Sequence, residues 1–182
     1  MCAPSLDVFF TGSEMSATSD LSDGQFFDSS KYLKLEIDKD GKWFQNGAEI
    51  IHPGIRSQFF QALVKTADGD YLVKIGREIC SVIVQDAPFV VTTVDKGPRN
   101  QILIRLSDES VEELKPDSLW IGDDNVPYVF VKNGSFHARF SRPAYYQLAK
   151  SIIYKEDEGK IYLIDGNREV EVKTEAPSQI KP

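Results

Sequence analysis

The chain has 182 residues, 41% of them hydrophobic and 27% charged, and its 21 basic against 28 acidic side chains give a net charge of -7. That length and balance fit a globular core in one large domain or two small ones. The acidic excess disfavours bulk nucleic acid and anionic membranes as partners, since no run of Lys or Arg offers a local basic patch, and no apolar stretch of about 20 residues is present to span a bilayer.

Residues 1–30 read as a flexible acidic tail. Met1 to Phe10 hold no basic and apolar signal segment, and Thr11 to Ser30 are rich in Ser, Asp and Gly. With Cys2 in this tail and Cys80 far from it in the chain, both are read as free thiols, and the protein is expected in a reducing cytoplasm.

A first unit is expected over 31–87. A strand from Tyr32 to Ile37 leads through Asp40-Gly41 to Trp43-Phe44, then through Asn46-Gly47 to Ile50-Ile51. The two dipeptides supply the positive φ angles that tight hairpins need. Pro53 opens a helix whose inner face is Ile55, Phe59, Phe60, Leu63 and Val64. Asp68-Gly69 ends it, and a hairpin follows from Tyr71 to Lys74 and back through Ile79, Ser81, Ile83 and Gln85. A second unit is expected over 88–173. Its early strands are Phe89 to Val94, Ile102 to Leu106 and Leu119 to Ile121, followed by Tyr128 to Val131, the turn Asn133-Gly134, and Phe136 to Phe140. Pro143 opens a second helix with Tyr145, Leu148, Ala149, Ile152 and Ile153 inward, and Ile161 to Ile164 and Val170 to Val172 close the unit. Residues 174–182 read as a C-terminal tail.

The two units share an order of features. Phe59-Phe60-Gln61 lies 86 positions before Tyr145-Tyr146-Gln147, Asn46-Gly47 lies 87 before Asn133-Gly134, and Gly76 lies 90 before Gly166. The fold class expected is therefore α+β, two tandem antiparallel ββαββ units, the second enlarged into a six- or seven-stranded antiparallel sheet with one helix.

Catalytic chemistry finds little footing. The two histidines, His52 and His137, belong to no nucleophile-and-base pattern, His137 alternating to the polar side of its strand. No clustered Cys and His, calcium loop, phosphate loop or dinucleotide fingerprint occurs, so no metal and no cofactor is expected and the chain is read as non-catalytic. The 86-residue offset also places Arg56 on Arg142, each in the first turn of its helix. A cation there opposes the helix dipole, so an anion should face each arginine: either a protein carboxylate such as Asp86 or a nearby Glu, or a bound anion held by the arginine fork and free backbone N–H groups. Arg139, Ser141 and Lys132 could complete the second site.

Asp40-Gly41 with Trp43 and Gly47, the helix opening Pro53 to Phe59, Asp86-Ala87-Pro88-Phe89, and Pro127-Tyr128-Val129 followed by Ser141-Arg142 and Tyr145-Tyr146 together resemble DUF1285, a bacterial family of unknown function. The resemblance runs from about Lys34 to Val172 and departs from the family pattern at His52. It implies a duplicated two-domain fold, a second domain like a pleckstrin-homology barrel, a cleft between the domains for a nucleotide-like ligand, and a role in signalling. The expected function is a non-catalytic regulatory protein that binds a nucleotide-like or other anionic small molecule, such as a phosphorylated one, at the interface of the two units, with Arg56, Arg142, Arg139, Ser141, Asp86 and Tyr145 as its ligand-binding residues. A protein-interaction module using the pleckstrin-like sheet is the alternative, and an uncharacterised hydrolase is a third reading.

Overall fold

The computed structural model describes residues 26–122, 125–166 and 168–175; the expected tails of residues 1–25 and 176–182, with Cys2, lie outside them. The fold is mixed α+β, sixteen strands and two α-helices among the described residues. The described backbone forms two compact units, one of residues 26–37 with Lys42–Val84, the other of Asp38–Gly41 with the described residues from Gln85 on. No helix among the described residues is long and apolar enough to cross a membrane.

The first unit carries β1 (Phe27–Asp28), β2 (Leu35–Ile37), β3 (Trp43–Gln45), β4 (Ala48–Glu49), α1 (Pro53–Ala62), β5 (Leu63–Lys65), β6 (Tyr71–Ile75) and β7 (Glu78–Val84). Two antiparallel ladders, β2-β3-β4 and β5-β6-β7, join edge to edge because β2 pairs in parallel with β7. The short β1, within the stretch expected to be tail, pairs in parallel with β7. Trp43, fully buried, is the centre of this core, with the rings of Phe59 and Phe60 at 5.3 and 5.5 Å. Cys80, a free thiol, is buried beside Leu33, and burial first of all raises its pKa.

The second unit carries β8 (Phe89–Lys96), β9 (Ile102–Leu106), β10 (Val111–Glu113), β11 (Leu119–Ile121), β12 (Pro127–Val131), β13 (Phe136–Phe140), α2 (Arg142–Ala149), β14 (Ile152–Lys155), β15 (Lys160–Asp165) and β16 (Arg168–Glu171). Again two ladders, β8-β9-β10 and β11-β12-β13, are joined by a parallel pair, here β8 with β13. A third ladder, β14-β15-β16, follows α2. It touches β11 through a parallel bridge between Trp120 and Lys173. One face of β8, β12 and β13 is apolar and closed, with Phe89, Val91, Val129, Val131, Ala138 and Phe140 buried.

Three expectations are corrected by this topology. The sheets are mixed, because parallel pairs β2·β7 and β8·β13 sit where only antiparallel pairing was expected. Each helix is also flanked by three strands on either side rather than two. Leu63 and Val64, expected on the inner face of α1, form β5, and Ile152 and Ile153, expected on α2, begin β14. The reason is partly local: Val64, Ile152 and Ile153 are β-branched, and such residues lose rotamer freedom in a helix and pack well in a ladder, while Val73 and Leu163 stand opposite Leu63 and Ile152 as partners.

The turn Asp38–Gly41 shows how tightly the second unit is built. Gly41 has φ +78, and a Cβ there would lie 2.8 Å from Val90 Cγ2; Gly47 has φ +83 but faces open space. Gly47→Ala therefore carries only the left-handed backbone penalty of about 1–2 kcal/mol. Gly41→Ala adds an overlap with a buried side chain and is expected to cost a further roughly 1–3 kcal/mol. Denaturant unfolding of the two variants side by side measures the difference, and equal losses would mean that Val90 yields freely.

Candidate functional site

A cleft of ≈ 770 Å³ opens on the face of β8 and β13 opposite the apolar core of the second unit. Its floor is Val90 and Thr92 from β8 and Arg139 from β13, and Phe140, whose side chain points into the core, reaches it only at the edge. The parallel register sets Arg139 beside Val90. The last rung of that ladder is the N–H of Ser141 donating to Val91 O at 3.0 Å, after which the chain turns directly into α2. Ser141 is the N-cap, its hydroxyl accepting from the Ala144 N–H at 3.4 Å, and Pro143 supplies the pre-set φ of a first helical turn. The first turn of α2 thus forms one wall, presenting Arg142, Tyr145 and Tyr146. Lys39 and Asp40 at the turn held by Gly41, and Asn125 to Pro127 ahead of β12, complete it.

Charges in the cleft are unequally matched. Arg139 donates to Asp86 Oδ2 at 2.8 Å, and the Tyr128 hydroxyl donates to the same carboxylate at 3.0 Å. Asp86 therefore pairs with Arg139, not with Arg142 as the sequence allowed. Arg142 is exposed and makes no hydrogen bond or ion pair with any described residue. Tyr145 and Tyr146 lie with ring centroids 5.9 Å apart, and Tyr146 is 68% exposed.

Of the residues expected to bind ligand, Arg139, Ser141, Arg142 and Tyr145 line this one cleft, and Asp86 stands behind Arg139. Arg56 belongs to the first unit, where its Nε is buried without a hydrogen-bond partner among the described residues. His52 occupies the N-cap of α1 but its side chain caps nothing. Lys132 is turned away from the cleft: it is held by Asp108 at 2.7 Å, Ser110 at 2.6 Å and Glu112 at 3.3 Å. His137, expected to face solvent, is partly buried, its Nε2 3.3 Å from Asp86 O and its ring 6.5 and 6.4 Å from Trp120 and Tyr128. The sequence reading passed over Lys39, Asn125 and Tyr146. Only the Tyr145-Tyr146 doublet carried a local signal for its member; Lys39 is brought in by the close approach of Gly41 to Val90, and Asn125 by the segment ahead of β12. Among the described residues no cluster of His, Cys, Asp and Glu could hold a metal ion.

Two solved structures share this fold. A DUF1285 family protein from Silicibacter pomeroyi DSS-3 matches with a TM-score of 0.63 at 21% identity, over 78% of this chain and 80% of that one. A DUF1285 family protein from Shewanella baltica OS155 matches with a TM-score of 0.55 at 19% identity, over 66% of this chain and 94% of that one. The resemblance read from the sequence thus holds at the level of the fold. No family model matches the sequence, and no curated protein does.

The network around Lys132 has a pH signature. For Asp108, burial acts to raise the pKa, but hydrogen bonds from Lys132 and Ser110 and the Lys132 charge together leave it below the ordinary value. A depressed folded-state pKa adds stability above the unfolded value of about 3.9 and loses it as pH falls through the folded one. Asp108→Asn is expected to destabilise by about 1–3 kcal/mol at neutral pH, with the gap to the parent closing below pH about 4. Urea melts across that pH range measure it; a gap independent of pH would show that the Asp108 charge contributes nothing.

Proposed function

We propose that the chain is a member of the DUF1285 family and a non-catalytic, cytoplasmic regulatory protein that binds a small anionic molecule, nucleotide-like or otherwise phosphorylated, in the cleft at the start of α2. The observation that carries this reading is Arg142: an exposed guanidinium with no partner among the described residues, on the wall of a concave site that also holds Arg139 and a tyrosine pair. A concave site with a few convergent donors is what small-molecule recognition requires, and an arginine fork suits phosphate or carboxylate. The signalling role and the pleckstrin-like character of the second unit rest on the family resemblance. Duplication is supported by the shared order of ladder, helix and ladder around α1 and α2, and by the parallel closure of β2 on β7 and of Trp120 on Lys173.

A protein-interaction role is the second reading. Its support is β14, which among the described residues pairs only with β15 and leaves Ile153 and Tyr154 38% and 61% exposed. An exposed strand edge with apolar side chains is a template for strand addition.

Thermal unfolding in the presence of nucleotides, cyclic dinucleotides and phosphorylated metabolites separates the two. A ligand at a hundredfold excess over its Kd stabilises by about 2.7 kcal/mol. The expected result is a shift that is present in the parent, lost in Arg142→Ala and kept in Arg56→Ala. A panel without any Arg142-dependent shift would sink the ligand reading and direct attention to β14.

A further inference from the structure

Resting on that reading, we infer that the cleft is matched to a singly charged oxyanion, a carboxylate or phosphodiester on a flat or aromatic body, and discriminates against phosphate monoesters and polyphosphates. The charges around the walls nearly cancel. Arg139 is already matched by Asp86 at 2.8 Å. Lys39 shares its turn and its wall with Asp40. No ion pair joins those two exposed side chains, but over the described lining residues their charges cancel in the sum, which leaves one net positive charge, equal to that of Arg142. The remaining polar groups are neutral: the Asn125 amide, the hydroxyls of Ser141, Tyr145 and Tyr146, and Thr92, whose hydroxyl donates to Arg105 O.

The helix end adds little to that charge. Pro143 has no N–H and the Ala144 N–H is taken by Ser141, so the first turn of α2 offers the cleft no cradle of amides. One charge on a ligand pairs with Arg142; a second has only Lys39 left to meet it, whose own charge is offset by the neighbouring Asp40, and an incompletely balanced charge taken out of water is costly. The net charge of -7 on the whole chain adds to the repulsion of polyanions. For the uncharged body the cleft offers the Tyr145 and Tyr146 rings beside Pro127 and Pro143, surfaces on which a planar group stacks.

Isothermal titration of the full chain with a ladder on one scaffold tests this: adenosine, adenosine 3′,5′-cyclic phosphate, adenosine 5′-monophosphate and ATP, with indole-3-acetate as the carboxylate arm. At pH 7.5 the monoester carries nearly two charges and the cyclic diester one. The expected result is that the cyclic phosphate or indole-3-acetate binds at least about tenfold more tightly than either adenosine or the monoester. The better of the two names the oxyanion. Arg142→Ala should abolish the advantage over adenosine, and Asp40→Asn, which removes one negative charge, should narrow the gap between diester and monoester. Affinity that climbs with charge to ATP and is lost in Arg142→Ala would overturn this inference while leaving the anion-binding reading intact. The absence of Arg142-dependent binding by any of the five probes would overturn both.

Discussion

The parallel ladder between β8 and β13 determines where every other part of the cleft falls. Three-stranded antiparallel ladders reverse direction at each turn, so β8 and β13 can meet only where the first strand of one ladder lies beside the last strand of the next. That meeting sets Arg139 beside Val90 and carries the pairing one rung further, to the Ser141 N–H on Val91 O. That rung ties the backbone at Ser141 to β8 immediately before the helix that Ser141 caps, so Arg142 is delivered to the rim by the end of the sheet. A site on a rigid strand end followed at once by a capped helix holds its groups more closely than one built on loops alone.

Asp86 has a second consequence within the same frame. By accepting from both Arg139 and the Tyr128 hydroxyl it allows a guanidinium to line an enclosed wall without contributing a net positive charge there. The pair is about a quarter exposed on each side, Arg139 27% and Asp86 24%, so its net stabilisation is modest. Its larger effect is geometric. The carboxylate is held from β12 and from β13 at once, and the backbone carbonyl of the same residue lies near His137. The segment entering β8 is thereby pinned across two strands.

How much of this was legible in the sequence depends on whether the signal was local. Turn dipeptides and helix-opening prolines act within a few residues of themselves. Asp40-Gly41, Asn46-Gly47, Pro53 and Pro143 were accordingly readable, and with them the position of Arg142 at the first helical residue. The helix ends were misread because Leu63-Val64 and Ile152-Ile153 satisfy helical spacing and strand propensity alike, and only the partners opposite them, Val73 and Leu163, decide. The choice of Arg139 rather than Arg142 as the partner of Asp86 needed the parallel register, which pairs residues about fifty positions apart and leaves no local trace. The same is true of Lys39 and Asp40, which reach the cleft only through the close approach of Gly41 to Val90.

The comparison of the two helix starts argues that the scaffold and the site have separate origins. On the proposed duplication, Arg56 and Arg142 descend from one position, yet their surroundings now differ in kind. α2 begins at a serine that caps it; α1 begins at His52, whose side chain bonds no helix N–H. Arg142 stands exposed at the rim of a cleft, whereas Arg56 is half-buried, with Nε shut from solvent and unpaired among the described residues. An arginine stem packs as an apolar side chain, and in a ten-residue helix the stem of Arg56 lies one turn from Phe59 and Phe60. The first unit therefore uses its arginine as part of a helix face, while the second exposes its charge. What the two units share is the order of ladder, helix and ladder. What that order is used for depends on the few residues around each helix start, and in the second unit those are Asp86, Ser141 and the turn at Gly41.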